Sequence, residues 1–552
     1  MCIATLLEMA GLGFIFSIVG LVDISNTKGN LFLEKLSAIF RLDETEIFSY
    51  LLLIFLIFYI LKIAFLAFYN WFESSFLYTY RESLSSKIFR EYLNQDFSFF
   101  YNRNSSEFIR NLITEVDQFT VYLISILRLA LEIIVITGIF LFLAYINFYF
   151  TIIITLTFVF FSFLYFFLFK EKLNRWGIER QTNTQKKIQF MQEGFDGIKI
   201  IKLLARENFF FNKFKSHNVN LAKISIKTFF FQGMPKLLFE FIGIFFITLS
   251  LFVLHTSEKN LVEIIQILSI YIAASFRILP SANKIVASLQ LLKLNYPAMN
   301  VLFNELKNFK KEAQPQNEKL HFRNNINVEI KKFKYPNSNG FEISDVKLNI
   351  LKGEKIGIIG ETASGKSTII EIIAGISDLP KGNILVDGKS IFSNLKGWQK
   401  LIGLVPQKIF ILDESLRNNI LFGLDNRKYK DDQIISLITK LSLNNLLKRL
   451  PGGLDGNLGE EGINLSGGEI QRIGLCRALI YDPEVLFLDE ATSSLDVKTE
   501  SQILDELKIF KKKTIISVAH RINTLKNCDK IYRFENGRVV EEGDYDKFKI
   551  RG

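Results

Sequence analysis

The chain has 552 residues, 49% of them apolar, 22% charged and 14% aromatic, with a formal charge of +11. A mean hydropathy of +0.22 excludes a disordered or fibrous protein, and the length exceeds what one hydrophobic core organises. A basic excess this modest, spread over such a length, reads as loop cations of a membrane protein rather than as a nucleic-acid face.

About 45 of the 55 phenylalanines precede residue 315, so the first half is membrane-like in composition and the second is not. Six segments of the first half are long and apolar enough to cross a bilayer core of about 30 Å, which takes roughly 20 helical residues. They lie near 1–22, 48–70, 125–145, 147–169, 237–254 and 261–279. No cation precedes Lys28, so the first segment lacks the basic region of a signal peptide and is expected to remain as a span. About 18 Lys and Arg fall in the loops 71–124 and 171–236, against about 4 in 23–46 and 255–260, which places the two long loops in the cytosol. Both carry helical periodicity, as in Leu84-Ile88-Tyr92 and Ile198-Ile201-Leu204, so the spans are expected to continue as cytosolic helices. Cys2, Cys476 and Cys528 have neither disulfide nor metal-site spacing.

A charged, apolar-poor stretch from 304 marks a linker, giving domains at 1–303 and 325–552 joined by 304–324. Short apolar strands then alternate with helices, an α/β pattern. A strand at 355–359 runs into Gly360-Glu361-Thr362-Ala363-Ser364-Gly365-Lys366-Ser367-Thr368 and a helical run, 369–374. G-x-x-x-x-G-K-S between strand and helix is the spacing of a phosphate-cradling loop. Its glycines let backbone N–H groups approach phosphate oxygens at a helix N-terminus; Lys366 is placed to reach the β- and γ-phosphates and Ser367 to ligate Mg²⁺. A second strand, Val485-Leu486-Phe487-Leu488, ends in Asp489, placed for the Mg²⁺ shell, and Glu490, placed to polarise the attacking water. Leu465-Ser466-Gly467-Gly468-Glu469 precedes it by a short distance.

With these motifs in order, the sequence resembles the ATP-binding cassette family. Tyr335 in Phe333-Lys334-Tyr335-Pro336, Gln407 in Val405-Pro406-Gln407, Ser494-Leu495-Asp496 and His520 in Ala519-His520-Arg521 complete the match. The resemblance implies an all-α, six-helix transmembrane domain of the type I/IV exporter fold, fused to an α/β P-loop cassette that takes ATP and Mg²⁺. It assigns adenine stacking to Tyr335, nucleotide binding to Gly360 through Thr368 and to Asp496, and Mg²⁺ to Ser367, Gln407 and Asp489. Hydrolysis falls to Glu490 and His520, with Gln407 sensing the membrane domain. Ser466, Gly467 and Gly468 are assigned to the γ-phosphate of a nucleotide held by a second cassette, which implies a homodimer with two ATP. Two positions depart from the family: Glu469 replaces the usual Gln and is expected to be tolerated, and Glu461 stands where Arg or Asn is commoner.

A charge inside a span is costly and points to function, which singles out Lys62, Lys236 and Arg277, with Lys284 beyond the last span. Snorkelling, or pairing with an acid such as Glu240, is the structural alternative. Leu7 to Gly13 and Phe276 to Lys284 also resemble the PglK-type flippases, which move lipid-linked oligosaccharides across the bacterial inner membrane. That resemblance implies an anionic pyrophosphate cargo met by Lys62, Lys236 and Arg277, a multi-pass protein with its cassette in the cytoplasm, and no nucleic-acid partner. A multidrug, lipid A or phospholipid exporter shares every cassette motif and stays open as the alternative.

Overall fold

The structure is a computed structural model that describes residues 7, 10, 11, 44–101, 103–146, 148–255, 261–309, 320–335, 340–377, 381–491, 502–503 and 513–549. Most of the first expected span, Cys2 and Asp496 lie outside these residues. The chain divides into two units, 1–95 with 103–310, and 96–102 with 311–552.

The first unit is helical because lipid offers no partner to backbone N–H and C=O groups, and a helix satisfies its own. Five long helices carry it: α1 (Glu44–Leu93), then, after the short α2 (Ser105–Arg110) and a π-turn (Asn111–Glu115), α3 (Val116–Ile146) and α4 (Phe148–Asp196); beyond the short α5 (Ile198–Leu203) come α6 (Glu207–His255) and α7 (Leu261–Asn308). A helix of 49 residues such as α4 is about 73 Å long at roughly 1.5 Å per residue, more than twice the bilayer core, so it runs well beyond the membrane. Among the described residues, Leu52–Leu93, Ser105–Tyr145 and Thr151–Asp196 are long and apolar enough to span. The expected spans 237–254 and 261–279 are helical within α6 and α7.

Leu84, Ile88 and Tyr92 form one buried face of α1, as their i, i+4 spacing requires, and Val135, Ile139 and Leu143 do the same on α3. The second stripe falls on the helix α5, with Ile201 buried and Ile198 and Leu204 exposed. The six-residue α5 is too short to carry three inward positions on one face. The linker also begins later than position 304, because α7 continues to Asn308. Gly177 of α4 lies at a close helix approach: a Cβ there would stand 2.2 Å from the Leu294 carbonyl oxygen on α7. Phe163 and Phe241 point outward from the unit, a surface suited to lipid.

The second unit has two sheets. In the antiparallel one, β2 (Ile343–Leu351), β1 (Asn325–Phe333), β4 (Lys381–Val386) and β5 (Lys389–Ser390) lie in that order. Asp387 and Gly388 join β4 to β5 with φ of 47° and 81°, the left-handed pair that a two-residue hairpin needs. The larger sheet runs β10 (Arg538–Gly543), β9 (Lys530–Glu535), β3 (Lys355–Gly360), β8 (Thr514–Ala519), β7 (Val485–Asp489), β6 (Ile402–Val405). All its pairings are parallel except β10 with β9. Val485, Leu486, Phe487 and Leu488 are all buried, as a parallel strand covered on both faces demands.

Candidate active site

Parallel neighbours bring their carboxyl ends to one edge of a sheet, and open α/β sheets build their sites there. The order β3-β8-β7-β6 therefore gathers the phosphate loop after β3, His520 after β8, Asp489 and Glu490 at the end of β7, and Gln407 after β6. These residues span more than 150 positions in sequence, and it is the strand order that collects them.

The loop enters α8 (Lys366–Ile373), whose first turn is set by Gly365 at φ +106°, a conformation that glycine adopts without strain. A Cβ on Gly360 would stand 2.2 Å from the Phe534 carbonyl oxygen. Glu361, Thr362 and Ala363 are exposed at the crest of the loop, while Ser364, Gly365 and Lys366 are buried at its base. Lys366 Nζ donates to the Gly360 and Glu361 carbonyls at 2.9 and 2.7 Å, curled over the cradle. Burial pulls its ammonium below the usual lysine range, against the opposing charges of Glu490 and Asp489. The buried Ser364 Oγ has no hydrogen-bond partner, so the cradle retains a donor for a phosphate oxygen. Ser367 Oγ donates to Asp489 Oδ1 at 3.0 Å. Burial, with the charges of Glu490 and Glu371, pushes the Asp489 carboxyl above its ordinary range despite that bond. A hydroxyl and a carboxylate in contact at the foot of a phosphate loop, with further acids beside them, fit Mg²⁺, and these oxygens are the ones that would hold it.

Glu490 stands at φ +48°, a left-handed conformation unusual for a side-chain-bearing residue and frequent at functional positions. Both of its carboxylate oxygens are engaged: Oε2 accepts from Gln407 Nε2 at 2.6 Å, and Oε1 lies 2.5 Å from His520 Nε2. The clamp fixes the carboxylate in one orientation beside the loop, which is the requirement for polarising a water in line with a phosphate.

Tyr335 donates from its hydroxyl to Glu371 Oε2 at 2.7 Å and lies 3.1 Å from Thr368 Oγ1, and its ring meets Tyr101 edge to face at 4.9 Å between centroids. Glu371 also accepts from Tyr101 at 3.3 Å. Sequence reasoning missed Glu371, although it lies one helical turn beyond Ser367 on α8.

The signature opens α10 (Gly467–Leu479), and Ser466 caps it, accepting from Glu469 N while Glu469 accepts from Ser466 N at 2.8 Å. Ser466 and Gly467 are exposed. The unusual Glu469 is matched by Arg449, at the end of the short α9 (Asn444–Arg449), whose guanidinium donates to both carboxylate oxygens at 3.1 and 3.2 Å. Burial raises the Glu469 carboxyl, but the Ser466 donors and Arg449 more than offset this and hold it below the usual range. Arg449 is legible only from the fold, since nothing in its local sequence marks it. Glu461 is exposed at φ +52°.

The cations of the first unit sit in different settings. Lys62 is buried, its ammonium 4.9 Å from the centre of the Tyr59 ring. Lys236 is exposed and lies 3.8 Å from Glu240, the pairing named above as the structural alternative. Lys284 donates to the buried Glu132 at 2.7 Å. Arg277 lies on α7, with its side chain outside the described residues. Glu132 lies in the expected span 125–145, where the rule that singles out cations applies equally to an acid.

Comparisons with known proteins agree with this geometry. The family described as ABC transporter is matched over residues 343–493, and that described as ABC transporter transmembrane region over 11–279. An ATP-binding/permease protein of Staphylococcus aureus (strain NCTC 8325 / PS 47), named for multidrug export, is 36% identical over 222 residues. That alignment covers 40% of this chain and 38% of the relative; a similarly named protein of the bovine strain RF122 / ET3-1 is 36% identical over 215 residues, 39% and 37% of the two chains. The matched part thus spans under two fifths of these relatives' length. In fold, the chain is similar to a bacterial Atm1-family ABC exporter solved with ATP bound, at a TM-score of 0.82 and 19% identity, covering all of this chain and 95% of that one. The two family matches fall on the two units of one polypeptide, the one described as a transmembrane region first and the one described as ABC transporter after it.

Proposed function

We propose that the chain is one half of an ATP-driven exporter that works as a homodimer in a bacterial inner membrane, with its cassette in the cytoplasm. The observation that carries this reading is the Glu490 carboxylate clamped between Gln407 and His520 beside the phosphate loop. Mg²⁺, when bound, neutralises charge that develops on the transferring phosphoryl group. Lys366 and the loop amides bind the β- and γ-phosphates, Tyr335 offers a ring to adenine, Asp496 contributes to nucleotide binding, and Glu490 orients the water. Ser466, Gly467 and Gly468, the first two exposed, serve the nucleotide of the second chain, so each site needs two copies. Nucleotide-driven closure of the cassettes then shifts the membrane halves between inward and outward states, and hydrolysis resets them.

The cargo is amphipathic. An anionic, lipid-linked pyrophosphate head group is the reading that Lys62, Lys236 and Arg277 support. The Lys236–Glu240 pair weakens it, and the relatives named for multidrug export favour a second reading, export of hydrophobic drugs. Proteoliposomes holding the purified protein are expected to move either a labelled polyprenyl-pyrophosphate oligosaccharide or a hydrophobic dye, in an ATP-dependent manner. Movement of the first alone selects the flippase reading and of the second alone the drug reading; movement of neither across a panel of both classes sinks the exporter proposal.

A further inference from the structure

The first unit holds a cavity of about 380 Å³ bordered by residues of α1, α3 and α7, within the size range of small-molecule sites. Leu127, Leu131 and Leu291 supply apolar lining, and charge comes from two acids, Glu73 and Glu132, and two cations, Arg128 and Lys284. Lys62 and Lys236, singled out from the sequence, are not among its lining residues.

Glu132 is 2% exposed, in a segment apolar enough to cross the membrane. Such a carboxylate is retained where it has a partner or a task. Its partner is incomplete: Oε1 accepts from Lys284 Nζ at 2.7 Å, while the buried Oε2 has no hydrogen-bond partner. An ionised carboxylate accepts on both oxygens, so the group keeps an unused acceptor at the border of the cavity. Lys284, by contrast, has half of its side chain exposed and can turn its ammonium to water when another cation takes its place.

We propose that this cavity binds amphipathic organic amines, the protonated nitrogen taking the place of Lys284 on the Glu132 carboxylate while the hydrocarbon part lies against the leucines. Lys284 is then a built-in competitor that occupies the carboxylate when no amine is present. The inference rests on the exporter reading for its purpose, since such a ligand would be cargo, and it is tested separately by binding in the absence of ATP.

The test uses the full chain in lipid nanodiscs and a dansyl-labelled alkylamine, with its N-acetylated and terminal-carboxylate analogues as comparators. The free amine is expected to bind saturably, and both analogues at least about tenfold more weakly, since each loses a charge-assisted hydrogen bond. Glu132→Gln is expected to weaken amine binding about tenfold for the same reason, whereas Lys284→Ala is expected to strengthen it several-fold by removing the competitor. Opposite signs distinguish a ligand site from a structural ion pair, in which both variants would weaken binding together. Equal binding of the three probes, preference for the carboxylate, no saturable amine binding, or same-sign shifts would each overturn the proposal. Thermal unfolding reports whether each variant folds; should Glu132→Gln fail, the sign of the Lys284→Ala shift decides. ATP-driven transport with no amine binding would sink this site and leave the exporter reading standing, and amine binding without transport of any cargo would do the reverse.

Discussion

The cassette and the transmembrane unit place their charged groups by different means. In the cassette, Gln407, Asp489, Glu490 and His520 hang from the ends of adjacent parallel strands, where backbone pairing fixes their separation. In the transmembrane unit, Glu132 and Lys284 meet across two helices, 152 residues apart, held by side-chain packing alone. A site built on strand ends is spelled by short local motifs, because each loop has a fixed backbone task. A site built between helices leaves no motif, because any helix position facing the partner can serve.

The largest expected effect tests the strand-end side of this contrast. Glu490→Gln keeps the size but removes the basic oxygen, and is expected to lower phosphate release by about 10²- to 10⁴-fold while ATP binding, measured by equilibrium titration, is retained. Full turnover in that variant would remove Glu490 from the chemistry. On the helical side, Gly177→Ala pushes a methyl group onto the Leu294 carbonyl, 2.2 Å away, and is expected to cost about 1–3 kcal/mol by overpacking. It should appear as a lower unfolding temperature of the detergent-solubilised protein; an unchanged melting curve would show that α4 and α7 are not held at this approach. The smallest effect concerns the Arg449–Glu469 pair, which is partly exposed on the Arg side and worth roughly 0.2–1 kcal/mol. Arg449→Ala is expected to slow ATP turnover a few-fold, and Glu469→Gln in the same chain to restore it, because the charge that Arg449 offsets is then gone. Failure of that rescue would refute compensation.

The motifs of the cassette were readable because a phosphate loop demands glycine where no Cβ fits, as at Gly360, and a φ of +106° at Gly365. The helical character of the membrane half was equally readable, since long apolar runs leave lipid no alternative. Arg449 and Glu371 were not, because their partners lie 20 and 36 residues away along the chain and no local pattern announces either contact. The stripe Ile198-Ile201-Leu204 announced a helix, which α5 supplies, but periodicity alone does not state that Ile201 is the buried member of the three.

By itself the sequence determined the class of each half, through composition in the first and through backbone-dictated spacing in the second. Only the tertiary structure decided which charges meet: it clamped Glu490 between Gln407 and His520, gave Glu469 its arginine, paired Lys236 with Glu240, and left one buried oxygen of Glu132 without a hydrogen-bond partner. Local backbone rules act over a few residues and are written in order along the chain, whereas the meeting of side chains depends on how whole helices and strands pack, which no short window of sequence contains.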